Sequence, residues 1–359
     1  MSAAVVIPNW NGREDLPACL DSLRRQTLPV EVIVVENGST DGSVEMLRES
    51  YPDVTVLVQA VNLGFAGGVN AGIRYALHRG HDAIALLNND AVADAEWMRA
   101  LVAEMSRDDR VGMVASKFVT MDGARLDSTG ECYSTWGLPF PRGRGEERLD
   151  AYDEATELFG ASGGSTLYRA DMLRDVGLFD EDFFAYFEDV DLSWRAQLRG
   201  WRVRLAPDAI AYHRIGATSG RIPGFTTYQT LKNLLWLATK NVPLRLLPTI
   251  APRLAFAYSL TFARAVLRGQ GVTAVRALAV AAVKMPKKLR ERRVVQAGRR
   301  AGDDVLRPLL TWDLPPGSTN LRRVRSMARR VMPWRERGRA RDAEGAAPID
   351  GGGAAPRRH

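Results

Sequence analysis

Residues 30–58 read VEVIVVENGSTDGSVEMLRESYPDVTVLV, with apolar runs at Val30–Val35 and Val54–Val58 on either side of a helical pattern at Ser43–Ser50. Short apolar runs bounded by polar turns are typical of buried strands. A strand, a helix and a second strand in this order predict two parallel strands joined by a crossover helix. The stretch therefore predicts an α/β fold built on a parallel sheet.

The same alternation continues on both sides of this unit. Further strands are predicted at Ala3–Pro8 and Ala83–Leu87, and further helices at Leu16–Gln26, Gly68–Arg79 and Asp94–Met105. In such sheets ligands bind beyond the carboxyl ends of the strands. Polar or glycine-rich segments follow four strands there, at Pro8–Asn11, Glu36–Ser39, Gln59–Gly68 and Asn88–Asp90. We expect the functional site at that edge of the sheet.

Asn88-Asn89-Asp90 ends the fourth predicted strand. A carboxylate and carboxamides at a strand end offer the oxygen ligands that Mg²⁺ and Mn²⁺ prefer. An ordinary strand-to-helix turn is the alternative, since Asn and Asp favour turns and helix caps. A single histidine, His213, follows another apolar run, and it would gain a metal-binding role only by lying near Asp90.

Three acids, Glu188, Asp189 and Asp191, follow the strongly aromatic run Phe179–Phe187. Acids at a helix start are stabilised by the helix dipole, which is a purely structural explanation. Carboxylates held against aromatic side chains can instead have raised pKa values, which suits a general base. Both explanations remain open at this point.

A glycine-rich loop at Asn62–Gly72 leads into the helix predicted from Gly68. Backbone N–H groups at a helix start can bind a diphosphate, and glycines permit close approach. The loop is neither a GxGxxG fingerprint nor a Walker A motif. A dinucleotide-dependent oxidoreductase is therefore disfavoured.

Taken together, these segments resemble the family 2 glycosyltransferases of the GT-A fold, especially bacterial rhamnosyltransferase-like members. The resemblance runs from about Val5 to Ser219 and is carried by seven strings in the same order and spacing. They are Val5–Gly12, Val34–Ser43, Asn62–Gly72, Leu86–Asp90, Gly160–Arg169, Phe184–Arg195, and His213 with Ser219. The implied fold is a Rossmann-like, mostly parallel sheet with flanking helices, followed by a helical, basic C-terminal region.

The resemblance implies a role for each matching residue. Asp189, preceded by Glu188, matches the general base, and Asp90 and His213 match the metal ligands. Trp194 and Asp191 are expected at the acceptor. Glu36 stands where the family usually has Asp, and Asn88 and Asn89 replace acids of its DxD motif. The residues expected at the donor are Pro8, Asn9, Glu36, Asn62, Gly64, Asn70, Asn88, Asn89, Gly163 and Gly164.

The implied reaction is an inverting, Mn²⁺- or Mg²⁺-dependent sugar transfer from a nucleotide-diphosphate sugar to an acceptor hydroxyl. Rhamnose from dTDP-rhamnose is the preferred donor, and a UDP-sugar-dependent transferase of the same family is the alternative. The expected acceptor is a cell-envelope glycan or a polyprenyl-diphosphate-linked glycan. A non-catalytic scaffold that binds nucleotide sugars is a further alternative, against which the intact acids and His213 argue.

Charge divides the 359-residue chain into two parts. Residues 1–218 carry 21 Lys and Arg against 34 Asp and Glu, whereas residues 219–359 carry 28 against 8. We expect a catalytic domain at 1–220, a helical membrane-associating region at 221–300, and a basic, partly disordered tail at 301–359. An anionic membrane surface is the expected partner. Nucleic acid is not, because aromatic residues are not interleaved with the basic ones.

The basic stripe of the helical region rests on one set of residues. These are Arg253, Arg264 and Arg268, followed by Lys284, Lys287, Lys288, Arg290, Arg292 and Arg293. A homodimer interface is the alternative use of these helices.

The two cysteines, Cys19 and Cys132, form no paired motif, and we find neither a signal peptide nor an apolar run of spanning length. The expected location is the cytoplasm, peripheral on the inner face of the plasma membrane.

Overall fold

A ten-stranded sheet with helices on both faces forms the first two thirds of the chain, and a group of helices follows it. The computed structural model describes residues 1–154, 156–214, 222–312 and 314–315. All of them belong to one unit, Met1–Pro315. The domain boundary expected near residue 220 and the tail beyond residue 315 lie outside the described residues.

The strands are β1 (Ala3–Asn9), β2 (Glu31–Asn37), β3 (Thr55–Gln59), β4 (Ala83–Leu87), β5 (Ala91–Ala93), β6 (Val111–Thr120), β7 (Leu126–Ser128), β8 (Glu131–Ser134), β9 (Pro139–Pro141), β10 (Glu157–Leu158), β11 (Ser165–Arg169), β12 (Arg202–His213) and β13 (Leu310–Thr311). The helices are α1 (Leu16–Arg24), α2 (Ser43–Ser50), α3 (Gly64–His78), α4 (Trp97–Met105), α5 (Ala170–Val176), α6 (Glu188–Arg199), α7 (Phe225–Asn241), α8 (Leu247–Leu267), α9 (Gly271–Ala297) and α10 (Asp303–Leu309).

The strand order in the main sheet is β10-β12-β6-β11-β4-β1-β2-β3, with β5 on β12 and β7 on β6. Strands β4, β1, β2 and β3 run parallel, as the sequence predicts, whereas β11 lies antiparallel between β4 and β6. The pairing of β12 with β5 sets His213 opposite Ala91, the neighbour of Asp90. The sheet thus brings together Asp90 and His213, which are 123 residues apart in sequence.

Strand β1 is buried on both faces, which explains why it reads as a continuous apolar run. Val5 and Ile7 face a core shared with α1 and α4, whereas Ala4 and Val6 face a second core that contains residues of α3 and α6. Burial of each Val or Ile side chain stabilises the fold by roughly 1.5–3 kcal/mol. The two cores together hold the carboxyl ends of the parallel strands in place.

Helix α3 begins at Gly64, four residues earlier than predicted, so most of the expected glycine-rich loop is helical. The Asn62 side chain accepts a hydrogen bond from the Gly64 N–H at 2.8 Å and so binds one of the free N–H groups of the first turn. Gly72 packs so closely on Val6 and Val35 that a Cβ atom would overlap the Val6 side chain. The glycines therefore let this helix approach the sheet.

The helices after residue 222 pack against the catalytic sheet rather than forming a separate body. A third core joins Trp194 of α6 and Phe183 to Trp236 of α7 and Ala281 of α9. The Trp236 indole N–H donates to the Ala281 carbonyl at 3.0 Å. Apolar burial across this interface explains why the two parts of the chain fold together.

Three prolines lie within α8 and α9 without ending these helices. Pro248 lies in the first turn of α8, where no N–H group is needed. Pro252 lies inside α8 and does not end it, and Pro286 likewise lies inside α9. Across the described ranges, no helix combines the length and hydropathy required to cross a bilayer.

Candidate active site

A cavity of about 830 Å³ opens at the carboxyl ends of the parallel strands. Its wall combines polar side chains from the strand ends with aromatic side chains from the segment before α6. Twelve of the sixteen residues predicted for the site line it: Pro8, Asn9, Asn62, Gly64, Asn88, Asn89, Asp90, Gly163, Gly164, Glu188, Asp189 and His213. The other four, Glu36, Asn70, Asp191 and Trp194, do not.

A chain of hydrogen bonds runs from the cavity wall into the protein. The Asn89 side-chain NH₂ donates to Asn9 Oδ1 at 2.6 Å, and the Asn9 NH₂ donates to Glu36 Oε1 at 2.8 Å. Glu36 is fully buried, and its second carboxylate oxygen has no hydrogen-bond partner in the described parts of the chain. The expected contact of Glu36 with the ribose or base is therefore corrected: Glu36 lies behind Asn9 and orients it.

Asn37, the next residue on β2, lines the cavity where Glu36 does not. Its side-chain NH₂ donates to the Gly64 carbonyl at 2.9 Å, and its oxygen accepts the Leu63 N–H at 2.9 Å. The sequence reasoning missed this residue, although successive side chains of a strand point to opposite faces. Asn37 thus ties the end of β2 to the first turn of α3.

Asn70 is also displaced from its expected role at the donor. Its NH₂ donates to the Phe179 carbonyl at 2.8 Å, and its oxygen accepts the Phe179 N–H at 3.0 Å. Both halves of the carboxamide are thus engaged by one backbone position. We correct the prediction, because Asn70 anchors α3 to the aromatic segment instead of lining the cavity.

Asp90, His213 and Asp127 form a connected group on the cavity wall. His213 Nε2 lies 3.2 Å from Asp90 Oδ1, and His213 Nδ1 lies 2.8 Å from Asp127 Oδ2. The Phe118 ring stacks on the imidazole with centroids 4.4 Å apart. Burial alone would lower the pKa of His213, but hydrogen bonds and charge from Asp127 and Asp90 outweigh it and raise the pKa to about 9.

These residues fit a divalent cation. Asp127 can accept the Nδ1–H proton of His213, which leaves Nε2 directed toward Asp90, and metal-binding histidines commonly have such a carboxylate behind them. Mg²⁺ commonly takes one or two carboxylates and completes its shell with substrate phosphates and water. Asp90 and His213 therefore offer two ligand atoms, with cavity space beside them for the rest.

A second acidic group, Asp180, Asp182 and Glu291, also brings carboxylate oxygens within reach of a single ion. Lysine ammonium groups already neutralise it: Lys288 Nζ lies 2.6 Å from Asp180, 2.9 Å from Asp182 and 2.9 Å from Glu291. Lys240 adds a 2.7 Å contact to Asp180. A metal ion would have to displace these cations, so we assign this cluster to stability.

Asp189 and Glu188 lie at the start of α6 and face the cavity. Asp189 Oδ2 accepts the Gly163 N–H at 2.9 Å, and Oδ1 accepts the Val190 N–H at 2.8 Å. Burial raises the pKa of Asp189, and these N–H groups offset it only in part. Burial, reinforced by the charge of Asp189, raises the pKa of Glu188 well above its ordinary value. Raised pKa values make the ionised carboxylates stronger bases, which favours proton transfer.

Gly163 and Gly164 form the part of the wall between these acids and the strand ends. A Cβ atom at Gly163 would lie 3.0 Å from the Phe65 ring, and one at Gly164 would lie 2.9 Å from the Phe118 ring. Larger residues would therefore push aromatic side chains into the cavity.

Trp194 and Asp191 do not face the cavity, so their expected acceptor role is corrected. Trp194 is fully buried and packs edge-on against Tyr133, with ring centroids 5.0 Å apart. Asp191 is fully buried, and its carboxylate lies 2.9 Å from Arg195 and 3.0 Å from Lys240. Asp191 thus points from α6 toward α7, whereas Trp194 packs among the buried aromatic side chains of the third core.

Several residues that line the cavity carried no local sequence signal. Asp127 lies in a three-residue strand, and Glu131 is a buried acid whose pKa is raised by burial and by the charge of Asp189. The aromatic part of the wall draws on distant segments: Trp10, Phe65, Phe118, Phe140, Phe184, Tyr186, Phe187 and Phe225. Only the fold brings these segments together.

Comparison with known proteins agrees with this fold. The family model described as "Glycosyl transferase family 2" matches residues 4–177. A relative from Mycobacterium tuberculosis, the N-acetylglucosaminyl-diphospho-decaprenol L-rhamnosyltransferase, is 31% identical over 216 residues, covering 54% of this chain and 70% of the relative. The chain belongs to glycosyl transferase family 2, whose members are nucleotide-sugar-dependent glycosyltransferases.

Solved structures support the same fold at lower identity. GalNAc-T7 with UDP, GalNAc and Mn²⁺ matches with a TM-score of 0.54 at 17% identity, over 67% of this chain and 48% of that chain. S. aureus TarS 1–349 in complex with UDP-GlcNAc matches with a TM-score of 0.51 at 16% identity, over 83% and 91%. Similarity at this level shows the GT-A fold of the chain.

Proposed function

We propose that this glycosyltransferase moves a sugar from a nucleoside diphosphate to an acceptor hydroxyl with inversion at the anomeric carbon. The observation that carries the proposal is the Asp189 carboxylate, which faces the cavity while two backbone N–H groups hold it. Its raised pKa gives it the basicity that removal of a hydroxyl proton requires. One displacement forms the bond from the acceptor oxygen to the anomeric carbon and breaks the bond to the diphosphate oxygen.

The start of α3 is suited to the departing diphosphate. Gly64 and Phe65, in the first turn of α3, line the cavity, and the positive end of a helix dipole favours anions. Asp90 and His213 would hold Mn²⁺ or Mg²⁺ beside them. Such a cation, when bound, supplies positive charge that offsets the charge developing on the leaving group. Asp127 keeps the His213 ring in the required orientation.

For the donor we propose rhamnose from dTDP-rhamnose, with UDP-linked sugars as the alternative. The similarity to the M. tuberculosis rhamnosyltransferase supports rhamnose. The acceptor of that relative, a polyprenyl diphosphate that carries N-acetylglucosamine, supports a lipid-linked glycan as the acceptor here. The aromatic wall formed by Phe184, Tyr186 and Phe225 offers flat apolar surfaces of the kind that sugar rings and lipid chains contact.

Removal of the proposed base tests the proposal. Asp189→Asn keeps the shape of the side chain and removes its basicity, so we expect radiolabelled sugar transfer to fall by about 10²- to 10⁴-fold, the range of general-base effects. Donor-dependent thermal stabilisation should persist. Asp208→Asn, which removes an exposed acid, is the control. Transfer by Asp189→Asn within a few-fold of the wild-type rate would exclude the role.

We further propose that the enzyme lies on the inner face of the plasma membrane through its α8–α9 hairpin. The basic stripe expected to bind lipid needs correction, because Lys284, Lys287 and Lys288 pair with Asp180 or Asp182. Support comes instead from exposed apolar residues near the tip of the hairpin: Val266, Leu267, Val272 and Val275. Leu267 and Val272 are each 85% exposed, and Arg268 and Arg276 beside them add charge for anionic lipid.

Vesicle flotation distinguishes this membrane contact from a dimer interface. We expect Leu267→Asp combined with Val272→Asp to abolish flotation with anionic vesicles at low salt. The control is Val61→Asp, which changes a 62% exposed valine in the loop before α3. Equal flotation of both variants would contradict the assignment. Failure of the wild type to float, with sedimentation as a dimer that the double variant disrupts, would favour the homodimer.

A further inference from the structure

The segment just before α6 has an unusual backbone conformation. Phe184, Tyr186 and Phe187 have φ angles of +68°, +70° and +70°, a region that bulky side chains seldom adopt. The Ala185 N–H donates to the Phe183 carbonyl at 2.8 Å and closes a three-residue turn around Phe184. Such a conformation persists only where surrounding contacts hold it.

Those contacts come from α7, in the helical region. The side-chain nitrogen of Asn233 lies 3.1 Å from the Phe183 carbonyl oxygen, 2.9 Å from that of Ala185 and 2.8 Å from that of Tyr186. Lys232 Nζ adds a contact of 3.3 Å to the Phe183 carbonyl. Carbonyl oxygens only accept hydrogen bonds, so the NH₂ half of the Asn233 carboxamide must face them. Asn233 is fully buried.

The segment that Asn233 holds runs from a contact with the first turn of α3 to the start of α6. The Phe184 carbonyl accepts the Ala66 N–H at 3.2 Å, and a Cβ atom at Gly64 would lie 2.5 Å from that carbonyl oxygen. At the other end, Phe187 is the residue immediately before α6, which begins with Glu188 and Asp189. A shift of this backbone would therefore move Asp189 relative to the first turn of α3.

We propose that Asn233 is a positioning residue for sugar transfer, which holds the backbone of 183–187 so that Asp189 meets the acceptor hydroxyl. The inference rests on the proposed function of Asp189. It makes the helical region a working part of the active site, although Asn233 does not line the cavity. Misplacement of reacting groups by about 1 Å can cost about 10²-fold in rate.

Asn233→Asp is the sharpest test, because it keeps the shape and sets carboxylate oxygens against three carbonyl oxygens. Asn233→Ala is the second variant, in case the first does not fold. We expect kcat to fall by about 10²-fold. The donor KM should stay within about threefold of the wild-type value, and so should the size of the donor-dependent rise in Tm. Gln229→Met, which changes another buried carboxamide of α7, should keep the wild-type kcat. A kcat within twofold of wild type for both Asn233 variants would overturn the inference.

Hydrogen–deuterium exchange separates this inference from the proposed function. The Phe184 N–H donates to the Glu181 carbonyl and the Ala185 N–H to the Phe183 carbonyl. Both should exchange at least tenfold faster in Asn233→Ala than in wild type or Gln229→Met. Unchanged exchange would overturn the positioning role even if transfer falls. If the wild type itself transfers no sugar, the proposed function fails, and the exchange result still decides whether Asn233 holds the segment.

Discussion

Lys288 offers a quantitative test of how tightly the helical region is joined to the catalytic sheet. Its side chain is 0% exposed, and its ammonium group contacts Asp180, Asp182 and Glu291 at 2.6–2.9 Å. Lys288→Met keeps the length of the side chain and removes the charge. Three largely buried carboxylates would then lose a cation that they share.

Removal of one partner from a buried ion pair costs roughly 3–5 kcal/mol. Asp180 keeps Lys240, and Asp182 keeps Lys284 and Lys287, so we expect the lower end, about 3 kcal/mol. An unfolding entropy of about 2.1 cal/mol/K per residue over the unit Met1–Pro315 corresponds to about 1.5 °C per kcal/mol, so Tm should fall by about 4–5 °C. Urea unfolding followed by circular dichroism measures the free energy, and a thermal scan measures Tm.

Lys287→Met is the matched control, since the neighbouring lysine shares the partner Asp182 but its side chain is 56% exposed. An exposed pair contributes about 0–1 kcal/mol, so this variant should lose at most about 1 kcal/mol. Equal losses in the two variants would refute the reasoning that burial sets the cost.

The difference in unfolding free energy between wild type and Lys288→Met should depend on pH, which gives a second check on the same lysine. Burial raises the pKa values of Asp180 and Asp182, but their lysine partners outweigh it and lower both. A lowered pKa contributes stability above the unfolded-state value, about pH 4 for Asp, and this contribution is lost as the pH falls. The difference in unfolding free energy between wild type and Lys288→Met should therefore become smaller below about pH 4.

Three further predictions concern the cavity. Gly64→Ala should abolish donor-dependent thermal stabilisation, because φ is +73° and a Cβ atom would lie 2.5 Å from the Phe184 carbonyl oxygen; normal stabilisation would contradict this. Asp127→Asn should raise the Mn²⁺ concentration for half-maximal activity by about 10- to 100-fold, as loss of a carboxylate behind a metal-binding histidine does, and an unchanged requirement would count against His213 as a ligand. Since burial raises the pKa of Asp189, kcat should fall with decreasing pH at a midpoint above about 4, and a lower midpoint would exclude this base.

The parallel half of the fold was predictable because its signals are local. The pattern in residues 30–58 predicted β2, α2 and β3, and Ser43–Ser50 is helical as expected. Strand ends carry their polar residues to one edge of a parallel sheet, so Asn9, Asn89 and Asp90 could be expected together before the structure was known. The His213 position depended on the resemblance, because nothing local indicates that β12 pairs with β5.

The unpredicted features depend on contacts between distant parts of the chain. Which of Glu36 and Asn37 faces the cavity depends on the side-chain alternation at the very end of β2. Trp194 is buried among side chains from distant segments, such as Tyr133 of β8 and Phe159. The sequence predicts that Lys288 belongs to an exposed basic stripe. In the structure its ammonium group donates to Asp180, 108 residues earlier, and the side chain is buried. Sequence patterns report the periodicity of one element and not what packs against it.

Donor binding tests the central claim most directly. The thermal stability of the wild type should be measured with a panel of nucleotide sugars, with and without Mn²⁺. A ligand that binds only the folded state adds about 2.7 kcal/mol at 100 times its Kd, which is measurable as a rise in Tm. We predict a Mn²⁺-dependent rise with dTDP-rhamnose that exceeds the rise with any UDP-sugar. A larger rise with a UDP-sugar would replace the donor, and no rise with any nucleotide sugar would contradict the proposed transferase site.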